Sequence, residues 1–260
     1  MSENVFYAYH LILVNFCKEM IWLLSIAEYF ERFLGYEMGV VSNINPNPIN
    51  SYYESYRSLD DKLLQWHAEH DREPGAMGEL GERCYFFKKD IESAISYLEQ
   101  ASQLGNGEAS VLLSQIYRTS LKNWDKYFYY VQLSAEQGSV AGLFNLSCCY
   151  FKGKEAYDGY GFAEDKQKAL ELSIAASYRA RELIHFILSN RCSRSFQEYL
   201  HQQISVFLNS TCCAAEQLIY GNGVRKQLPE AKLLLTEANE FAKSHFGSDM
   251  QDFIELLKLV

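Results

Sequence analysis

Hydrophobic and polar positions divide this chain into helical segments with two clear breaks. In VFYAYHLILVNFCKEMIWLLSIAEYF the polar positions are Asn15, Lys18, Glu19, Ser25, Glu28 and Arg32. They form roughly one stripe of a 3.6-residue period, which predicts an amphipathic helical segment over 1–42 buried mostly in protein. A membrane span would need about 20 apolar residues with few charges. Lys18 and Glu19 end the uncharged run here, and Glu28 follows. A helix lying on a membrane surface is a weaker alternative, because the polar stripe holds few basic residues. NINPNPIN, residues 43–50, is the first break, since Asn and Pro set turns and X-Pro steps disfavour helix. A second helix, about 51–70, is predicted to follow, and REPG at 72–75 to end it.

Past Pro74 the chain repeats itself. EQASQLGNGEASVLLSQIY (99–117) aligns with QLSAEQGSVAGLFNLSCCY (132–150), and Gly105 and Gly138 lie 33 residues apart. Leu113 and Leu146, Ser114 and Ser147, and Tyr117 and Tyr150 then fall in step. Self-similarity at 20–50 residues marks stacked repeats. Asp90, Asn123 and Asp165 each stand where a helix should begin, and their side chains can accept orphan N–H groups there. Four residues on come Ala94, Tyr127 and Ala169; eleven on, Ala101, Ser134 and Ala176; fifteen on, Gly105, Gly138 and Ala180. Small residues at fixed offsets let helices cross closely, and a terminal glycine supplies a left-handed cap. GNGVRKQLPEA, residues 221–231, first suggests a phosphate loop. It lacks GxxxxGK[ST] and GxGxxG after a strand. Gln227 matches Asp90, Ala231 matches Ala94 and Ala238 matches Ala101. GNGV is therefore expected to be the turn between two helices of a repeat, with Val224 plugging the pair.

These offsets, with GNGVRKQLPEA and AEDKQKALELSIAA as the best pieces, resemble the Sel-one-like repeat, a relative of the tetratricopeptide repeat. The resemblance covers roughly 73–242, about five units. It implies an all-α, right-handed α-α superhelix of antiparallel helix pairs with an inner binding surface. It also implies a non-enzymatic role in binding other proteins. Three departures stand out. KEAYDGY between Gly153 and Gly161 is an insertion expected to project as a loop. The fourth unit keeps Leu188 and Ser189, but FQEYLHQQISVFL has lost its alanines, and a bend is expected there. GSDMQDFIELLKLV, within 243–260, is expected to be a closing helix capped by Ser248.

Composition narrows the function. The formal charge of −9 does not suit a nucleic-acid binder. It suits a basic protein partner, or solubility alone. Seven cysteines, with no CxxC spacing and two adjacent pairs, point away from zinc and from a disulfide framework. They read as reduced thiols in a cytosolic protein. The opening MSEN lacks the order of a secretory signal, and so the sequons NLS (145–147) and NST (209–211) carry no weight. His67 and His70 lie three apart beside Asp71, a possible metal seat without a visible third ligand. Cys148 and Cys149 read as packed thiols, not nucleophiles. No cofactor is expected.

Aromatic residues make up 15%, and KYFYYV (126–131) would place rings on all sides of a helix. The candidate protein-binding residues are Trp124, Tyr129, Tyr157 and Tyr160 as anchors, with Glu79, Glu82 and Asp158 steering a basic partner. Gln115, Arg118 and Asn145 complete the set. The family resemblance suggests a narrower role, a bacterial immunity protein that occludes a cognate secreted toxin. The alternatives are a regulatory adaptor for signalling or secretion components, and an enzyme with a site around His67, His70 and the N-terminal segment.

Overall fold

The computed structural model describes residues 56, 57, 59–189 and 195–260. The expectations for 1–42 and for the Pro/Asn-rich break at 43–50 lie outside these residues. Ten α-helices make up the described chain, and it contains no strand. A short helix α1 (Asp61–Trp66) continues into a π-turn, His67–Asp71. Next come α2 (Pro74–Arg83), extended by a π-turn at Cys84–Lys88, α3 (Ile91–Gln103), α4 (Gly107–Thr119) and α5 (Trp124–Glu136). Helix α6 (Val140–Lys152) leads through a 3₁₀ turn, Lys154–Tyr157, to α7 (Lys166–Ser189). The chain closes with α8 (Ser195–Tyr220), α9 (Leu228–Phe246) and α10 (Gln251–Leu257).

Each helix from α2 to α9 packs on its chain neighbours. In addition α2 touches α4, α4 touches α6, and α6 touches α8. Contact with neighbours and next-neighbours, through short connections, is the pattern of a helical solenoid.

The expected caps are in place. Asp90 accepts from the Ser93 N–H, Asn123 from Lys126 and Asp165 from Lys168, each at 2.9–3.0 Å. Asn106 and Ser139 do the same for α4 and α6. Gly105 and Gly138 end the preceding helices with φ of 89° and 82°. The third unit has Ala180 at that offset. Without a residue suited to the left-handed cap the helix does not stop there, and α7 runs 24 residues, to Ser189. Helix α8, 26 residues long, returns along it. Two long helices therefore stand where four shorter ones were expected.

Small residues set the helix crossings. A Cβ on Gly142 would lie 2.5 Å from Ser134 Oγ and 2.7 Å from the Ser134 carbonyl carbon, so α5 and α6 meet backbone to backbone. Elsewhere, buried hydroxyls face each other: Ser102 and Ser110 at 2.7 Å, Ser147 and Ser173 at 3.0 Å, Ser177 and Thr211 at 2.6 Å. Pairing satisfies groups that would be expensive to bury alone. Between these crossings Leu98, Leu113, Ile116, Leu170, Ile174 and Leu234 are fully buried.

GNGV is a turn between α8 and α9. Gly221 and Gly223 have positive φ, and the Gln227 N–H closes the turn on the Leu218 carbonyl at 2.9 Å. Gln227 caps α9 by backbone alone. At the far end the expectation for Ser248 needs correction. Met250 stands at the start of α10, and its N–H donates to Asn239 Oδ1 at 2.9 Å. Asn239 reaches across from α9, a partner eleven residues away that a local reading of the cap cannot find.

Candidate functional site

The candidate residues fall into separate groups. The first lies at the edge where the α4–α5 turn meets the insertion. Residues 154–157 turn back on the array instead of projecting freely. Tyr157 packs edge-on against Trp124, with ring centres 5.6 Å apart, and against Phe128 at 5.1 Å. Phe162 follows, 5.6 Å from Phe128 and 4.7 Å from Tyr150. Gly161, with φ of 90°, passes the Phe128 ring so closely that a Cβ would collide with it. Aromatic packing of this kind, not the chain's hydrophilicity, fixes the insertion. Arg118 reaches the same cluster, its guanidinium 5.9 Å from the centre of the Tyr127 ring. Outside the packed rings, Glu155, Asp158 and Tyr160 stay exposed, and Asp158 holds a left-handed φ of 55°.

Arg118, Trp124, Tyr157, Asp158 and Tyr160 thus share one edge. Tyr129 does not join them: it sits about 140° around α5 from Trp124 and is 60% exposed. It is the only exposed ring of KYFYYV, since Tyr127, Phe128 and Tyr130 are buried. Tyr130 and Tyr117 stack in parallel planes 5.5 Å apart, and both donate to Glu99 Oε1. Lys126 donates to the Tyr117 hydroxyl at 2.8 Å, and Lys168 repeats this on Tyr150 at 2.9 Å. Most tyrosines at repeat positions are therefore packing and cross-linking groups.

Glu79 and Glu82 lie on α2, away from this edge, and arginines engage both. Arg83 Nε donates to Glu79 at 2.8 Å, and Arg57 Nη2 donates to Glu82 at 2.9 Å. Glu79 is 8% exposed. Both carboxylates have arginine partners within the chain. Gln115 is exposed on α4 and Asn145 half-buried on α6.

Glu108, in the first turn of α4, was not singled out from the sequence. Its carboxylate accepts from Ser139 Oγ at 2.8 Å. Lost solvation outweighs that bond and pushes its pKa up to about 7, with a smaller contribution from Glu82. Its only sequence signal is a carboxylate beside a helix-start glycine in a repeat turn.

His67 and His70 do not converge. His67 Nδ1 pairs with Asp71 at 2.8 Å, and His70 Nδ1 bonds the Trp66 carbonyl and stacks on its indole. Among the described residues no three or more His, Cys, Asp or Glu gather in a way that could hold a metal. Burial raises the pKa of Cys84, Cys148 and Cys149, of Cys212 to about 12, and of Cys213 to about 11. These five described thiols are free, with Cys84 and Cys149 buried, Cys148 and Cys212 half-buried and Cys213 exposed, and their raised pKa values favour the protonated form at neutral pH. No helix among the described residues is long and apolar enough to cross a membrane.

No protein-family model matches the chain, and no curated protein matches it. Among solved structures the chain is similar to a Sel1 repeat protein from Oxalobacter formigenes. The two share 14% identity over 68% of this chain and 76% of that one, with a TM-score of 0.39. It is also similar to a protein described as a sel1 repeat protein from Klebsiella pneumoniae subsp. pneumoniae. That pair shares 15% identity over 77% of this chain and 99% of that one, with a TM-score of 0.38. With capped helix pairs, glycine-ended units and next-neighbour packing, the described chain is an all-α helical repeat array.

Proposed function

We propose that this chain is a protein-binding module that uses the edge formed by Arg118, Trp124, Tyr157, Asp158 and Tyr160. One observation carries the reading. The insertion is held in place by ring packing, yet leaves Tyr160, Glu155 and Asp158 exposed on an ordered turn. An ordered aromatic edge binds with little loss of side-chain entropy, which is what interface anchors require. The adjacent carboxylates favour a basic partner, as does the net charge of −9.

The narrower reading is a bacterial cytosolic immunity protein that covers the active cleft of a cognate secreted toxin. It is supported by the repeat resemblance and the acidic balance. Co-expression with the toxin encoded beside it tests this: rescue of growth supports it, and death despite soluble expression sinks it. Capture with the tagged full chain in moderate salt separates the second reading. One tight basic partner fits neutralisation, whereas several signalling or secretion components fit an adaptor. Replacing Trp124 and Tyr160 by Ala should abolish capture in either case.

A further inference from the structure

Helices α7 and α9 face each other along a polar seam. The Tyr178 hydroxyl donates to Glu237 Oε2 at 3.1 Å. The Arg181 guanidinium lies 4.1 Å from the centre of the Tyr178 ring. One turn on, His185 Nδ1 and His245 Nε2 are 2.9 Å apart. Helix α9 packs mainly on α8 and only lightly on α7, so the seam is the looser side of this group.

Arg181 is 3% exposed. Its Nε and Nη2 are both buried, and neither has a hydrogen-bond partner. Those two nitrogens form one edge of the guanidinium, with parallel N–H groups at the spacing of two oxygens on a carboxylate or phosphate. Glu237 does not fill this edge. Its Oε2 stands 3.9 Å from Nη2, beyond hydrogen-bond range, and is already taken by Tyr178. The other nearby ions pair elsewhere: Arg179 donates to Glu182 at 3.1 Å. A buried cation with an open donor edge is costly, and proteins close such edges with an anion.

We propose that the Nε/Nη2 edge of Arg181 is an oxyanion site for a carboxylate or phosphate group entering the α7–α9 seam. Glu237, with its side chain 41% exposed, can swing outward to admit the group. The oxyanion comes either as a free ion or as a carboxylate on a peptide. This site is independent of the binding edge proposed above.

The test is thermal unfolding of the full chain in phosphate or acetate, against chloride at matched ionic strength and pH. A short peptide with a free C-terminal carboxylate and its amidated twin form the second arm. Wild-type protein should show a saturable rise in Tm of roughly 5 °C at a ligand concentration about a hundredfold above its Kd. Arg181→Lys keeps the charge but not the two-pronged edge, and should weaken apparent affinity by about tenfold or more, the worth of one charge-assisted bond. Arg181→Met should respond to no anion, yet in chloride be no less stable than wild type, since a buried cation with an open donor edge is removed. Response to phosphate identifies a free-ion site; response to the free-carboxylate peptide alone identifies a peptide site. Equal Tm for wild type in every salt and peptide overturns the proposal. So does an anion response that persists unchanged in Arg181→Lys.

Discussion

Glu108 gives a prediction whose sign and size follow from its surroundings. Its carboxyl has a pKa of about 7 in the fold, against an ordinary value of 4.5. The native state therefore holds a proton that the unfolded chain has released between these pH values. Stability falls as pH rises from about 4.5 to 7, and the loss is complete above 7. A shift of this size corresponds to at most about 3 kcal/mol. The side chain keeps some contact with solvent, which relieves part of the penalty, and about 1–2 kcal/mol is the reasonable expectation. Glu108→Gln keeps the shape and the acceptor for Ser139 but cannot ionise. Urea unfolding should show the variant close to wild type at pH 4 and more stable by about 1–2 kcal/mol at pH 8. A difference between the two proteins that is the same at both pH values would refute the assignment of Glu108 as a carboxyl forced to ionise in a poorly solvated place.

Arg83→Ala removes a guanidinium that binds Glu79, Asp61 and the carbonyls of Arg57 and Leu59. It should cost about 3 kcal/mol in urea unfolding, because Glu79 is left buried with Arg57 Nε only at 3.7 Å. Gly142→Ala drives a methyl into the Ser134 backbone and should cost about 1–3 kcal/mol; no loss in Tm would mean that α5 and α6 can separate freely. Cys213 should react with iodoacetamide at pH 7.5 about a hundredfold more slowly than a free thiol, and a rate matching a peptide cysteine would contradict its raised pKa of about 11.

The repeat was legible because its determinants are local. Asp90, Asn123 and Asp165 cap a helix within three residues of themselves, and Gly105 and Gly138 end one by their own φ. Ala180 was visible as a missing glycine, but not its effect, because whether a helix runs on depends on what covers its next turns. The pairing of Glu79 with Arg83, four residues on, is local, but that of Glu82 was hidden for a similar reason: the chain brings Arg57 to it from 25 residues away. The folded-back insertion rests on Tyr157 meeting Trp124, a contact that no periodicity encodes. Arg181 looked like one more helix charge, and only burial made its open edge visible.

The uninterrupted run of α7 through Ala180 bears on how the array comes apart. Where glycine ends each unit, a stack of repeats can open one unit at a time from its ends, as a row of weakly coupled blocks. Helix α7 belongs to two successive unit lengths at once, and α8 does the same in return. Opening either half breaks a helix in its middle, so residues 166–189 and 195–220 should exchange their amide hydrogens as one cooperative block, slower than α10 and slower than a sum of separate units. The loss of one glycine thus turns the C-terminal half of a modular chain into a single clamp, against which the units from α2 to α6 can flex.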